Sequence, residues 1–358
     1  MMRGRKRWAV VTVLISSLLA VLLAEVVLQI RLVYRSSLLK EEGALLRRSP
    51  DLGWELLPGA VQRQRNVGYD FVTYRTDERG FRRSAQPGNP ADMAIFLGDS
   101  FVFGVGVEDD HTLPSLLNQL VPSVRFLNAG VCGYTEDQEL LQYLRLREIV
   151  PHKILLLNVF LGNDIGDLTP VTRMCKPYFR WDDAHRNLVL VRDYISEEKT
   201  PAFPDPPIAP PWYWRLLSRS ALAKIVYQAG LSYLPGTFTS VKNPRTYDEE
   251  LDIFYGIMAS FVAQTSAAGV KFRVIVSPSM EQILYRTPYL EELERRVARI
   301  LDDLGIEHLL LSPAMRRRAD GGASLYRRNE GHWNEAGNDF AAAAIAEAFF
   351  RKLSPPSP

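Results

Sequence analysis

Metal-ligating residues are scarce in this sequence. Cys132 and Cys175 are its two cysteines, too few and too far apart for a zinc site, and its five histidines include no His-Glu-x-x-His pair. Metal chemistry is therefore not expected, and nothing in the sequence calls for a cofactor. An excess of charge of one sign is missing too. Forty-three Lys and Arg stand against 41 Asp and Glu, and the net +2 gives no broad field for nucleic acid. Low hydrophobicity is also absent: with 47% hydrophobic and 23% charged residues, 358 residues suffice for one sizeable core with additions.

A single long apolar run stands out, from Trp8 to Ile30, with Ser16, Ser17, Glu25 and Gln29 among its few polar residues. Arg3, Arg5, Lys6 and Arg7 precede it, and Trp8 and Tyr34 lie near its ends. Such a run is long enough for a bilayer, and the basic cluster before it should stay in the cytoplasm. Residues 1–35 are thus expected to be a basic tip and a single-pass anchor in the cell inner membrane, with the rest of the chain periplasmic. A cleaved signal peptide is the competing reading, but the run is long for one and no Ala-x-Ala site closes it. Residues 36–90 read as a membrane-proximal segment with some β structure, notably an alternating run from Tyr69 to Tyr74, and with no obvious chemistry of their own.

From residue 91 an α/β rhythm takes over and runs to about 353, broken by an insertion at about 167–247. Short apolar runs, Ala94 to Leu97, Val124 to Leu127, Ile154 to Phe160, Phe272 to Val276 and His308 to Leu311, read as buried parallel strands. Helical spacing predicts helices over 112–120, 136–150, 248–268, 290–304 and 336–352. The insertion reads as a hairpin over 177–191, a proline-rich stretch with aromatics over 200–214 and a helix over 220–228, acting either as a lid or as a covering for the sheet. The acidic group Glu108, Asp109, Asp110 beside His111 reads as a helix start rather than a metal site.

Three of the strands end in loops bearing Ser100, Gly133 and Asn163, and a late loop before the last helix carries Glu330 and His332. Loops at the carboxyl edge of a parallel sheet are where ligands bind. Acyl transfer by serine needs a nucleophile, a base, a group orienting that base, and donors where the oxyanion develops. Ser100 is the candidate nucleophile and His332 the candidate base. The backbone N–H groups of Ser100 and Gly133 and the side-chain amide of Asn163 are the candidate oxyanion donors. Each also has a plain alternative as a turn or capping residue; Asp99 and Asp164 read as turn-fixing acceptors.

Leu97-Gly98-Asp99-Ser100, Asn128-Ala129-Gly130-Val131-Cys132-Gly133, Gly162-Asn163-Asp164 and Glu330-Gly331-His332-Trp333-Asn334 resemble the four blocks of the SGNH/GDSL hydrolase superfamily. The resemblance implies a flavodoxin-like three-layer α/β/α sandwich with a parallel five-stranded sheet in the order 2-1-3-4-5, and serine-dependent chemistry on esters. It assigns Ser100, Gly133, Asn163 and His332 the roles given above. Where the family usually has an aspartate two or three residues before the histidine, this sequence has Glu330 and Asn329, so Glu330 is the candidate third member.

The expected function is a serine ester hydrolase acting on acyl esters of envelope glycans or lipids outside the cytoplasmic membrane. The alternatives are an O-acyltransferase that modifies an extracytoplasmic polysaccharide and a non-catalytic anchored glycan-binding scaffold. Phe179, Trp181, Trp212, Tyr213 and Trp214 of the insertion are candidates for an acceptor platform in the transferase reading. A Cys132–Cys175 disulfide is also a candidate, since both cysteines follow neighbouring strands and the expected compartment is oxidising. The sequence identifies no protein partner.

Overall fold

The computed structural model describes residues 2–66, 69–86, 88, 90–169, 176–182, 184–185, 187–192, 220, 247–327 and 330–351. They belong to two units, Met1–Lys40 with Ile208–Ser240 and Glu41–Pro207 with Val241–Pro358.

The first unit contains helix α1 (Met2–Leu38). Its segment Val11–Arg31 is 21 residues long with a mean hydropathy of 2.6. At about 1.5 Å per residue it extends about 31 Å, the thickness of a bilayer's hydrocarbon core. Most of its described apolar side chains, Leu14, Leu18 and Leu22 among them, are exposed, and Ala24 and Leu28 are half-buried.

Five short strands follow: β1 (Lys40–Glu42), then, within the second unit, β2 (Leu46–Ser49), β3 (Gly53–Leu56), β4 (Val61–Asn66) and β5 (Tyr69–Arg75). β2 and β3 form an antiparallel hairpin, and β4 and β5 pair antiparallel in a sheet of order β1-β4-β5. The central sheet comprises β6 (Asp92–Leu97), β7 (Val124–Asn128), β8 (Ile154–Phe160), β11 (Lys271–Ser277) and β12 (Glu307–Leu310), in the order β12-β11-β8-β6-β7, with every neighbouring pair parallel. Numbered within the sheet, that order is 2-1-3-4-5, the doubly wound flavodoxin-like topology.

Strand periodicity makes this sheet the middle of three layers. Ile95, Leu97, Leu155, Leu157, Val274 and Val276 face one core, and Ala94, Phe96, Phe126, Leu156 and Ile275 face the other. Helices α4 (Glu136–Leu146), α5 (Asp248–Ala267) and α7 (Pro288–Asp303) close the first core, for example through Leu140, Phe254 and Val297. Helices α3 (Leu113–Leu120), α8 (Ser312–Asp320) and α9 (Glu335–Ile345) close the second, through Leu117, Met315 and Ala342. Side chains buried on both faces are why these strands read as unbroken apolar runs.

Several boundaries differ from those expected. The helix expected over 136–150 ends at Leu146, and residues 147–150 form a turn in which the Val150 N–H returns to Leu146 O. The last helix gives way after Ile345 to a wider turn, Ala346–Phe350, which keeps Phe350 buried. The helix expected over 220–228 lies outside the described residues apart from Ser220, and the stretch 200–214 lies wholly outside them.

The expected hairpin is present as β9 (Tyr178–Asp182) and β10 (Asn187–Val191). Phe179 is buried in the first core, and a Cβ on Gly256 of α5 would sit 2.9 Å from the Trp181 ring. These two aromatics therefore pack on a core helix, as a covering does.

Candidate active site

Ser100 sits at the carboxyl end of β6, between β7 and β8, where the strand order reverses. It opens the single turn α2 (Ser100–Phe103). Asp99 caps that turn, with Oδ1 accepting from the Phe101 N–H at 2.9 Å. Gly104 ends it at φ 88, a left-handed conformation costly for any residue with a Cβ. The tight turn leaves the Ser100 side chain half-buried at the rim while Phe101, Val102 and Phe103 go into the core.

His332 arrives from the loop before α9. The Arg327 N–H donates to His332 O at 2.9 Å, and Asn334 Oδ1 caps α9 by accepting from the Gly337 N–H at 2.9 Å. The Phe101 ring lies 5.0 Å from the imidazole and 4.9 Å from the Trp333 ring, so the residue after the serine backs the histidine.

The polar groups form a line. His332 Nε2 is 2.7 Å from Ser100 Oγ, and His332 Nδ1 meets Glu330 Oε1. Since the carboxylate only accepts, the imidazole proton belongs on Nδ1, and Nε2 is left to accept from the serine hydroxyl. Asp99 Oδ2 is a longer alternative acceptor for Ser100, at 3.2 Å. The side chain of Glu330 is 8% exposed and that of His332 22%, so the pair is sheltered while the serine can be approached.

Gly133 lies on the loop after β7, half-buried, at φ 77. Among the described residues no group accepts its N–H. Asn163 lies on the turn after β8, where its amide donates to Asp167 Oδ2 at 3.2 Å. An amide nitrogen has two protons, so one remains. Asp164 fixes that turn by accepting from the Phe160 N–H at 2.6 Å. Asn329 and Cys175 lie outside the described residues, and so does any Cys132–Cys175 bond. Burial pushes the Cys132 thiol up to about 12, with Asp99 adding to the effect, so the thiol stays protonated beside the serine loop.

Two features beside these loops were not read from the sequence. The first turn of α4 is acidic, yet Glu136, Asp137 and Glu139 are fully buried, as is Asp164. Lys176 Nζ donates to Asp137 Oδ1 at 3.1 Å. Burial and the neighbouring Asp137 push Glu136 up to about 8, and burial with nearby carboxyls drives Glu139 and Asp164 well above the usual range. Desolvation thus favours the neutral form of each of these three carboxyls. The second feature is Trp54 of β3, whose indole N–H donates to Cys132 O at 3.0 Å. Alternation of Trp54 with Leu56 in a short run was its only sequence signal. The acids of 108–110 also have a structural use: Asp109 accepts from Arg82 and Arg75, and Glu108 from the Thr73 N–H.

No protein-family model and no curated protein sequence matches this chain. Among solved structures it is similar to a member of the lipolytic G-D-S-L protein family from Veillonella parvula, at 10% identity and a TM-score of 0.41, covering 72% of this chain and 98% of that one. It is similar to Axe2, an acetylxylan esterase from Geobacillus stearothermophilus, at 13% identity and a TM-score of 0.40, covering 76% and 100%. It is also similar to TesA, at 13% identity and a TM-score of 0.41, covering 72% and 98%.

Proposed function

We propose that this chain is a serine-dependent ester hydrolase of SGNH type, acting on acyl esters of envelope glycans or lipids outside the cytoplasmic membrane. The observation that carries the reading is the line from Ser100 Oγ through His332 Nε2, at 2.7 Å, to Glu330 on Nδ1. Ser100 Oγ attacks the ester carbonyl carbon while His332 takes its proton, and Glu330 stabilises the imidazolium. The oxyanion is received by the N–H groups of Ser100 and Gly133 and the free proton of the Asn163 amide. The C–O bond to the alcohol then breaks, His332 protonates the departing oxygen, and water repeats the sequence on the acyl-serine.

The membrane assignment rests on the span Val11–Arg31 preceded by Arg3, Arg5, Lys6 and Arg7. The basic end stays in the cytoplasm, so protease added to spheroplasts should digest the domain. Full protection would reverse the orientation.

Phe179 and Trp181 are engaged with the core, which favours release to water over a sugar platform built on them, while Trp212, Tyr213 and Trp214 lie outside the described residues. The test supplies an acetyl ester with and without envelope oligosaccharide. Free acetate should form at the same rate in both, and loss of acetate matched by acetylated sugar would replace hydrolysis by transfer.

A further inference from the structure

We propose that Trp54, from the strands ahead of the catalytic fold, is a positioning residue that sets the Gly133 N–H as an oxyanion donor; the inference rests on the hydrolase reading above. The carbonyl of Cys132 and the N–H of Gly133 belong to the same amide, and no peptide bond in the described structure is cis. In a trans amide the C=O and N–H point in opposite directions. Whatever holds the carbonyl therefore aims the N–H.

The group that holds it is the Trp54 indole, donating from Nε1 to Cys132 O at 3.0 Å. The partner N–H finds no acceptor among the described residues and stands at the edge of the sheet that carries Ser100. Gly133 at φ 77 has the soft backbone that needs such a restraint, since glycine crosses between wells at little steric cost. The same ring also covers the glycine, because a Cβ built there would lie 3.4 Å from Trp54 Cζ2.

Trp54 is itself fixed on three sides. It is 5% exposed, its carbonyl accepts from the Tyr134 hydroxyl, and the Tyr134 ring meets its indole edge-on at 5.7 Å between centroids. Two residues earlier, Leu52 O accepts from Gln138 Nε2 of α4 at 2.7 Å. Trp54, Phe103 of the serine turn and Val131 of the glycine loop lie in one apolar cluster, so nucleophile and donor share a support. Donation to the carbonyl also polarises the amide and strengthens its N–H as a donor.

The test measures p-nitrophenyl acetate hydrolysis by the full-length protein in detergent, for wild type, Ser100→Ala and Trp54→Phe, which keeps a ring but drops the N–H. Complete loss of an oxyanion donor costs about 10²- to 10³-fold, and loosening one costs less, so kcat should fall about tenfold. KM should stay within about twofold and the acidic limb of the pH profile should not move, because His332 and Glu330 are untouched. If Trp54→Phe fails to fold, β-(3-benzothienyl)alanine at position 54, which has tryptophan's shape with sulfur in place of N–H, should give the same loss of kcat. An unchanged kcat in the folded variant would overturn the proposal and leave the hydrolase reading standing; so would a fall in kcat with a shifted acidic limb, which would mean a disordered histidine loop. Absence of Ser100-dependent turnover in wild type would overturn both.

Discussion

Arg82 is wholly buried and donates to Asp109, a residue on the loop that leaves the serine turn. Its guanidinium also donates to Val107 O at 3.2 Å and lies over the Tyr74 and Phe103 rings, 5.0 and 5.1 Å from their centroids. The segment ahead of β6 is thereby tied to the nucleophile's own loop. The two partners are not equivalent. The Asp109 side chain is 22% exposed and also accepts from Arg75 at 3.1 Å, whereas Arg82 has no route to water.

Asp109→Ala should therefore be the more damaging change, since it strands a buried cation; breaking such a pair costs about 3–5 kcal/mol. Arg82→Met, which keeps apolar volume and leaves Asp109 on Arg75, should cost less. Thermal melts of both variants give the order. Equal losses, or a greater loss for Arg82→Met, would remove the desolvated arginine from the account.

In turnover, His332→Ala should lower kcat by about 10³-fold or more while leaving the fold intact, because the imidazole sits on a rim loop. Glu330→Gln should do less, by about two orders of magnitude, since an orienting group is partly replaceable. The double variant should be no slower than His332→Ala alone. A silent Glu330→Gln would remove Glu330 from the catalytic line.

Stability should depend on pH through Glu136. Its carboxyl is raised to about 8 in the folded protein by burial, from about 4.5 in the unfolded chain, and neither oxygen has a hydrogen-bond partner among the described residues. The folded state therefore binds the extra proton between those values. The stabilisation is complete below about 4.5 and is lost as pH rises through about 8, with a slope of about 1.4 kcal/mol per pH unit for one such group. Melting temperature should fall from pH 5 to pH 8, and Glu136→Gln, which cannot ionise, should flatten that fall. An unchanged slope in the variant would show that Glu136 does not titrate in this range.

Ile154 to Phe160 was legible as a strand to the residue, because a strand covered on both faces leaves an unbroken apolar run. Gly133 and Asn163 were legible as loop residues because each follows such a run, and Ser100, expected on a loop, instead opens the helical turn that follows its strand. The acidic turn at 136–139 was not, since a dipole-favoured helix start and a buried carboxyl cluster are spelled alike, and burial depends on what packs above. Trp54 was not either. Its contact with Cys132 spans 78 residues, and β3 is four residues long, too short for its alternation to stand out. Of the five aromatics that could have made a sugar platform, Phe179 and Trp181 pack against the core, which an aromatic letter alone does not disclose, and Trp212, Tyr213 and Trp214 lie outside the described residues.

A fluorophosphonate probe reports whether Ser100 is an activated nucleophile. The full-length protein should take up one phosphonyl group, mapped by peptide mass to Ser100. Labelling should be lost in Ser100→Ala and strongly slowed in His332→Ala. Equal labelling of wild type and Ser100→Ala, or no labelling of folded wild type, would contradict the account and leave an anchored binding protein in its place.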